Sequence, residues 1–173
     1  MANGLTYIRK TPTAEVTKQL AATLAPYLHP GDVILLKGDL GAGKTQFAQG
    51  LAEALGVRAQ VTSPTFNILL EYRDGRVPLY HFDLYRLEDE AELDDIAYFE
   101  AIDGDGDGVA LVEWGDKFPA SLPCDYLEVS ITVEDQGRRR VRAHSFGVRS
   151  RQLLCVWGND SKARLMKVAG GSR

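Results

Sequence analysis

Eight consecutive residues, Gly38-Asp39-Leu40-Gly41-Ala42-Gly43-Lys44-Thr45, match the pattern G-x-x-x-x-G-K-[ST] in full. The chemistry needs each part. Glycines let the backbone take positive φ and turn several N–H groups inward around one anion. Lys44 offers a point charge to β and γ phosphates, and Thr45 offers a hydroxyl to Mg2+. A helix directly after the loop adds the positive end of its dipole. The loop therefore predicts binding of a nucleoside triphosphate with Mg2+.

A second candidate lies in "AIDGDGDGVALVEW", residues 101–114. Asp103, Asp105 and Asp107 alternate with glycines, as in a calcium loop, which wants carboxylates at positions 1, 3 and 5 and a bidentate Glu at 12. Counted from Asp103, position 12 is Trp114, and Glu113 falls one residue short. No exiting helix is available either, because "VALVEW" is branched and strand-like and "DKFPASLP" is broken by proline. No calcium site is expected. The same stretch also reads as a buried strand ending in an acid. Ligands of open α/β folds bind beyond the carboxyl ends of the strands, so Glu113 is a candidate for Mg2+, directly or through water. Trp114 would lie beside the nucleotide. The plain alternatives are a surface acid at a strand end and a packing aromatic.

These residues need elements to hold them. "DVILLKG" (32–38) reads as a buried strand into the glycine loop, and residues 44–55 as a helix with Phe47, Leu51 and Leu55 inward and Gly56 as its stop. A first helix is expected over 13–28, on the stripe Val16, Leu20, Leu24 and Leu28. "FNILLEY" and "VPLYHFDLY" flank the hairpin signal Asp74-Gly75. An acidic helix is expected over Glu88–Ile102 with Leu93, Ile96 and Phe99 inward. The strands "VALVEW", "YLEVSITVE" and "RRVRAHSF" follow, the last two joined around Gln136-Gly137. Residues 149–173 read as a basic C-terminal extension, partly frayed, on a domain covering 1–148.

A chain of 173 residues with 45% hydrophobic and 25% charged content suits one soluble domain. No apolar run approaches the roughly 20 residues that span a bilayer, and "MANGLTYIRKTPT" has no apolar signal core, so a cytoplasmic, non-membrane protein is expected. Cys124 and Cys155 form no C-x-x-C pair and read as reduced thiols. The net charge of −4 is uneven: Glu88–Glu100 holds seven acids and no base, while Arg138–Arg173 holds ten bases and one acid. The basic end is either a solvated tail or a contact surface for an anionic partner such as tRNA.

"GDLGAGKT" (38–45), "SPTF" (63–66), "YHFDLYRL" (80–87) and "LVEW" (111–114) together resemble the bacterial TsaE, or YjeE, family over residues 11–147. The resemblance implies a compact α/β, phosphate-loop NTPase-like fold of three layers around a mixed sheet. It also implies Mg2+-dependent hydrolysis of ATP to ADP, slow alone and stimulated by a TsaD–TsaB partner complex that forms threonylcarbamoyladenosine in tRNA beside the anticodon. Within the matched motifs, Ser63 and Thr65 place hydroxyls on a loop before a strand, suited to sensing a γ-phosphate. Asp83 stands among apolar and aromatic residues, where an idle charge is costly to desolvate. It either holds a magnesium-bound water or orients the attacking one, and the competing reading is a salt bridge with Arg86. Catalysis would fall to Lys44, Asp83 and Glu113, and Mg2+ to Thr45, Glu113 and Asp83. Arg138 matches a family position near the nucleotide, although the run Arg138-Arg139-Arg140 allows a slip of one residue. His81 reads as structural.

The runner-up is a phosphate-loop small-molecule kinase, with Arg138–Arg142 as its lid. No acceptor motif supports it.

Overall fold

The computed structural model describes residues 4–104 and 106–169, with side chains described through residue 160. Strands β1 (Thr6–Thr11), β2 (Val33–Lys37), β3 (Leu69–Tyr72), β4 (Leu79–Asp83), β5 (Val109–Glu113), β6 (Tyr126–Val133) and β7 (Arg139–Phe146) form one sheet, ordered β1-β7-β6-β2-β5-β4-β3. The four central strands β6-β2-β5-β4 are parallel. Antiparallel β7 and β1 extend one side, and β3 closes the other. The apolar runs "VILLK" and "VALVE" occupy the middle because both of their faces are covered. The mixed sheet expected from the sequence is present.

Helices α1 (Ala14–Ala22), α2 (Lys44–Leu55) and α4 (Val148–Ala169) cover one face. Leu20, Leu24, Phe47, Leu51, Leu154 and Trp157 fill the core beneath them. A Cβ at Gly50 would lie 2.0 Å from the Lys18 carbonyl oxygen, so the close crossing of α1 and α2 depends on a missing side chain. The other face is covered by a 3-10 segment, Glu90–Ile96, and by α3 (Tyr98–Ile102), over Phe82, Leu93, Tyr98 and Val112.

Several expectations need correction. The first helix ends at Ala22 rather than 28, and a 3-10 turn, Ala25–Tyr27, follows. Pro26 has no N–H to continue an α-helix. The stripe residues Leu20, Leu24 and Leu28 are nevertheless fully buried. The acidic helix is broken at Ala97, which takes φ 53° between the 3-10 segment and α3. Tyr98 therefore turns inward in place of Phe99, its ring edge-on to Phe82 at 5.5 Å, and burial pushes its hydroxyl up to about 12. The strand pattern begins at Leu69 rather than Phe66, which is 80% exposed. β1 had no counterpart in the sequence reading.

The C-terminal segment is not an appendage from residue 149 onward. Leu153, Leu154 and Trp157 enter the main core, and Trp157 Nε1 donates to Thr23 Oγ1 at 2.8 Å. Arg149 donates to both oxygens of Asp32, at 2.8 and 2.7 Å, while Asp125 accepts from the backbone N–H groups of Arg149 and Ser150. The apolar spacing 153, 154 and 157 is that of one helix face. The basic residues beyond 160 lie outside the described side chains. No helix among the described residues is long and apolar enough to cross a membrane.

Candidate active site

Because β2, β4 and β5 are parallel, their carboxyl ends share one edge of the sheet. Register sets Glu113 of β5 opposite Leu36 of β2 on one side and opposite Asp83 of β4 on the other. The glycine-rich loop leaves β2 at this edge and returns as α2. Gly43, the N-cap of α2, takes φ 111°, a conformation that L side chains rarely adopt. The Ala42 N–H donates to Asp39 O at 3.1 Å and closes the turn. Leu40 is 97% exposed at the tip, so its share in any site is its backbone. Thr45 lies in the first turn of α2 and is half-buried.

Lys44 is buried, and its ammonium donates to the carbonyls of Gly38 at 2.7 Å and Asp39 at 3.2 Å. It stands 4.0 Å from Glu113 Oε2 and 5.3 Å from the centre of the Trp114 ring. Beside it is a cavity of about 190 Å³ lined by Lys37, Gly38, Asp39, Lys44, Trp114 and Asp116. A fixed cation beside the N-terminus of α2 makes an anion cradle.

The two carboxylates behind it are held differently. Glu113, 3% exposed, places Oε1 at 2.9 Å from His81 Nε2. Asp83, 2% exposed, accepts from Thr65 Oγ1 at 2.6 Å on Oδ2 and from the Tyr85 N–H at 3.0 Å on Oδ1. Thr65 is in turn 2.7 Å from Ser63 Oγ. The chain Ser63–Thr65–Asp83 thus ties the hydroxyl-bearing loop to the end of β4. Gln49 of α2 holds the start of the same loop through Val61 O at 2.9 Å.

Backbone strain collects here. Ile68, a β-branched residue, takes φ 65°, and Trp114 takes φ 60°. Such conformations cost on the order of 1–3 kcal/mol each and persist where the surroundings over-determine them. Trp114 packs on Tyr85 at 5.1 Å, and Lys117 secures that loop by donating to the carbonyls of Tyr85 and Leu87.

Three further side chains stand as follows. Arg86 does not pair with Asp83; its guanidinium lies 4.6 Å over the Phe66 ring. Arg138 is exposed, its Nε turned to Asp135 O at 3.3 Å. Arg139 is the arginine that reaches the glycine-rich loop, donating to Ala42 O at 3.1 Å. His81 is not merely structural filling, since it contacts Glu113. Its signal was available: strands alternate faces, so "HFD" puts His81 and Asp83 on one side of β4.

In the Asp-Gly stretch, Asp107 accepts from the Tyr80 hydroxyl and pairs with Arg73, while Asp105 lies outside the described residues. Cys124 and Cys155 are free and exposed. A larger cavity of about 510 Å³ opens at the amino end of β2, lined by His29, Asp32, Asp125 and Arg149 among others. Its charges satisfy one another through the Arg149–Asp32 pair and the Asp125 cap of α4, and it is remote from the glycine-rich loop.

The family model described as "Threonylcarbamoyl adenosine biosynthesis protein TsaE" matches residues 11–141. The chain belongs to the TsaE family. It is 44% identical over 149 residues to the "tRNA threonylcarbamoyladenosine biosynthesis protein TsaE" of Bacillus subtilis, covering 84% of this chain and 89% of that one. It is 40% identical over 144 residues to the protein of the same description from Nostoc, covering 82% and 88%. The crystal structure of Bacillus subtilis YdiB superposes on this TsaE-family chain with a TM-score of 0.79 at 36% identity, covering 92% of this chain and 99% of that one.

Proposed function

We propose that this TsaE-family protein is a Mg2+-dependent ATPase whose hydrolysis of ATP to ADP serves threonylcarbamoyladenosine formation on tRNA through a TsaD–TsaB partner complex. The names of its relatives support the pathway. The observation that carries the enzymatic reading is the meeting, at one sheet edge, of the anion cradle at Lys44 with the buried carboxylates Asp83 and Glu113.

Residues 39–45 would hold the phosphates through backbone N–H groups and Lys44, with Arg139 bracing the loop at Ala42. The Thr45 hydroxyl and one or both carboxylates would hold magnesium, a hard cation that takes oxygen ligands. Bound magnesium would supply charge neutralisation between β and γ phosphates. Asp83 retains acceptor capacity beyond its two hydrogen bonds, because a carboxylate has about four lone-pair sites, and can orient a water. A phosphate that draws the hydroxyl of Thr65 competes with Asp83 for the same proton donor, which links the Ser63–Thr65 loop to the hydrolytic carboxylate.

Site variants test the assignment. Lys44→Ala is expected to abolish useful nucleotide binding, whereas Asp83→Ala and Glu113→Ala retain nucleotide and lose phosphate release. Normal hydrolysis by Asp83→Ala in the assembled complex would remove Asp83 from the mechanism. Transfer of labelled phosphate to a metabolite, in place of its release, would indicate a kinase.

A further inference from the structure

The chain has three histidines. His29 is exposed and His144 half-buried, but His81 has no exposed surface at all. It sits inside β4, with Leu70 of β3 and Leu111 of β5 as its strand partners. An imidazole in such surroundings must satisfy its nitrogens or leave them costly. Its Nε2 lies 2.9 Å from Glu113 Oε1, and its Nδ1 has no hydrogen-bond partner among the described residues.

Those two facts locate the hydrogen. A carboxylate oxygen only accepts, so the ring nitrogen facing it must donate. A hydrogen on Nδ1 would be a buried donor with no acceptor. The arrangement is therefore the Nε2–H tautomer. Glu113 then has Oε1 engaged by His81, while Oε2 faces the ammonium of Lys44 at 4.0 Å, on the edge where the glycine-rich loop begins.

We propose that His81 is a positioning residue for Glu113, holding Oε1 through its Nε2–H so that Oε2 is presented to a divalent cation at the glycine-rich loop. Such a donor fixes the orientation of the carboxylate, as the hydrogen-bond partners of metal-binding carboxylates do. The strand register builds this in. Asp83 and Glu113 are level, and His81 lies two residues back on the face of Asp83, so its ring reaches Glu113 diagonally. The inference rests on reading Glu113 as a magnesium-side carboxylate.

Full-length wild type, His81→Phe (similar volume, no donor) and His81→Gln (a terminal N–H retained) provide the test. In 15N-histidine NMR of the nucleotide-free wild type, the resonance missing from His81→Gln should show the Nε2–H tautomer with a slowly exchanging proton. The Mg2+ concentration that half-saturates the magnesium-dependent part of ADP binding, followed by Trp114 fluorescence, should rise about 10- to 100-fold in His81→Phe. His81→Gln should recover most of that loss, and ADP affinity without Mg2+ should stay level in all three. In ATP turnover the Phe variant should lose kcat with little change in KM. An Nδ1–H tautomer, or an unshifted Mg2+ midpoint in folded His81→Phe, would overturn the proposal. So would a wild type whose ADP binding ignores Mg2+. Should His81→Phe fail to fold, a Gln variant with a midpoint as poor as that of Glu113→Ala also overturns it. A wild type without ATP turnover defeats the ATPase reading alone, because the NMR and ADP measurements decide the role of His81 without it.

Discussion

Thr65→Val isolates the latch between the hydroxyl loop and β4. The substitution keeps the shape of the side chain and removes the Oγ1 that donates to Asp83 Oδ2 at 2.6 Å and lies 2.7 Å from Ser63 Oγ. Asp83 is 2% exposed, so solvent cannot fully replace the lost donor, and among the described residues the Tyr85 N–H is its remaining hydrogen-bond donor. A hydrogen bond to a charged group contributes about 1.5–3 kcal/mol net, so a loss of about 2 kcal/mol is expected. For a protein of this size that lowers Tm by about 4–8 °C. Thermal unfolding of Thr65→Val, Asp83→Asn and the double variant measures the pair as a cycle. The coupling should reach at least about 1 kcal/mol, well beyond the roughly 0.5 kcal/mol scatter of independent sites. ADP affinity should change little, since Thr65 lies off the glycine-rich loop, while phosphate release from ATP should fall. Additive effects on Tm, together with unchanged turnover, would refute the latch.

Other outcomes follow from single features. Trp114 borders the cavity beside Lys44, whereas Trp157 is fully buried in the core and bonded to Thr23. ADP should therefore change the fluorescence of a Trp157→Phe protein and leave a Trp114→Phe protein silent; the reverse would move the nucleotide elsewhere. Ala97 is exposed at φ 53°, so Ala97→Gly should stabilise by about 1 kcal/mol in thermal unfolding, and a lower Tm would contradict the strained joint. Burial alone would raise the Asp125 carboxyl, but hydrogen bonds from the first turn of α4 outweigh it and hold the group below its ordinary range. A depressed folded-state value stabilises above the unfolded value of about 3.9 and loses that contribution as pH falls through the folded one. Tm should accordingly fall less steeply below about pH 4 in Asp125→Asn than in wild type, and parallel curves would exclude the cap as the cause.

What the sequence made legible was set by local rules. The glycine loop, the strand before it and α2 after it were readable because spacing, φ preference and helix periodicity agree over residues 33–55. The bounds of α2 and β7 came out as expected, since Gly56 and Gln136-Gly137 are strong local stops. The errors lie where tertiary contacts decide. Tyr98 and Phe99 are equally apolar, and only packing against Phe82 selects the first. Arg138, Arg139 and Arg140 cannot be ranked by composition, because the turn before β7 determines which of them faces Ala42. β1 pairs with β7 across more than a hundred residues, a contact that no local pattern announces. His81 was passed over because a histidine read alone is ambiguous, although its two-residue offset from Asp83 placed it on the working face.

This sheet edge is proposed to hydrolyse ATP under the control of a partner complex. The most direct measurement is the rate of phosphate release from ATP and Mg2+ by the full-length protein, alone and then with its cognate TsaD–TsaB complex and tRNA. A slow rate alone that rises on addition of the complex, and vanishes in Lys44→Ala, is the predicted result. A rate unchanged by the cognate complex would contradict the account.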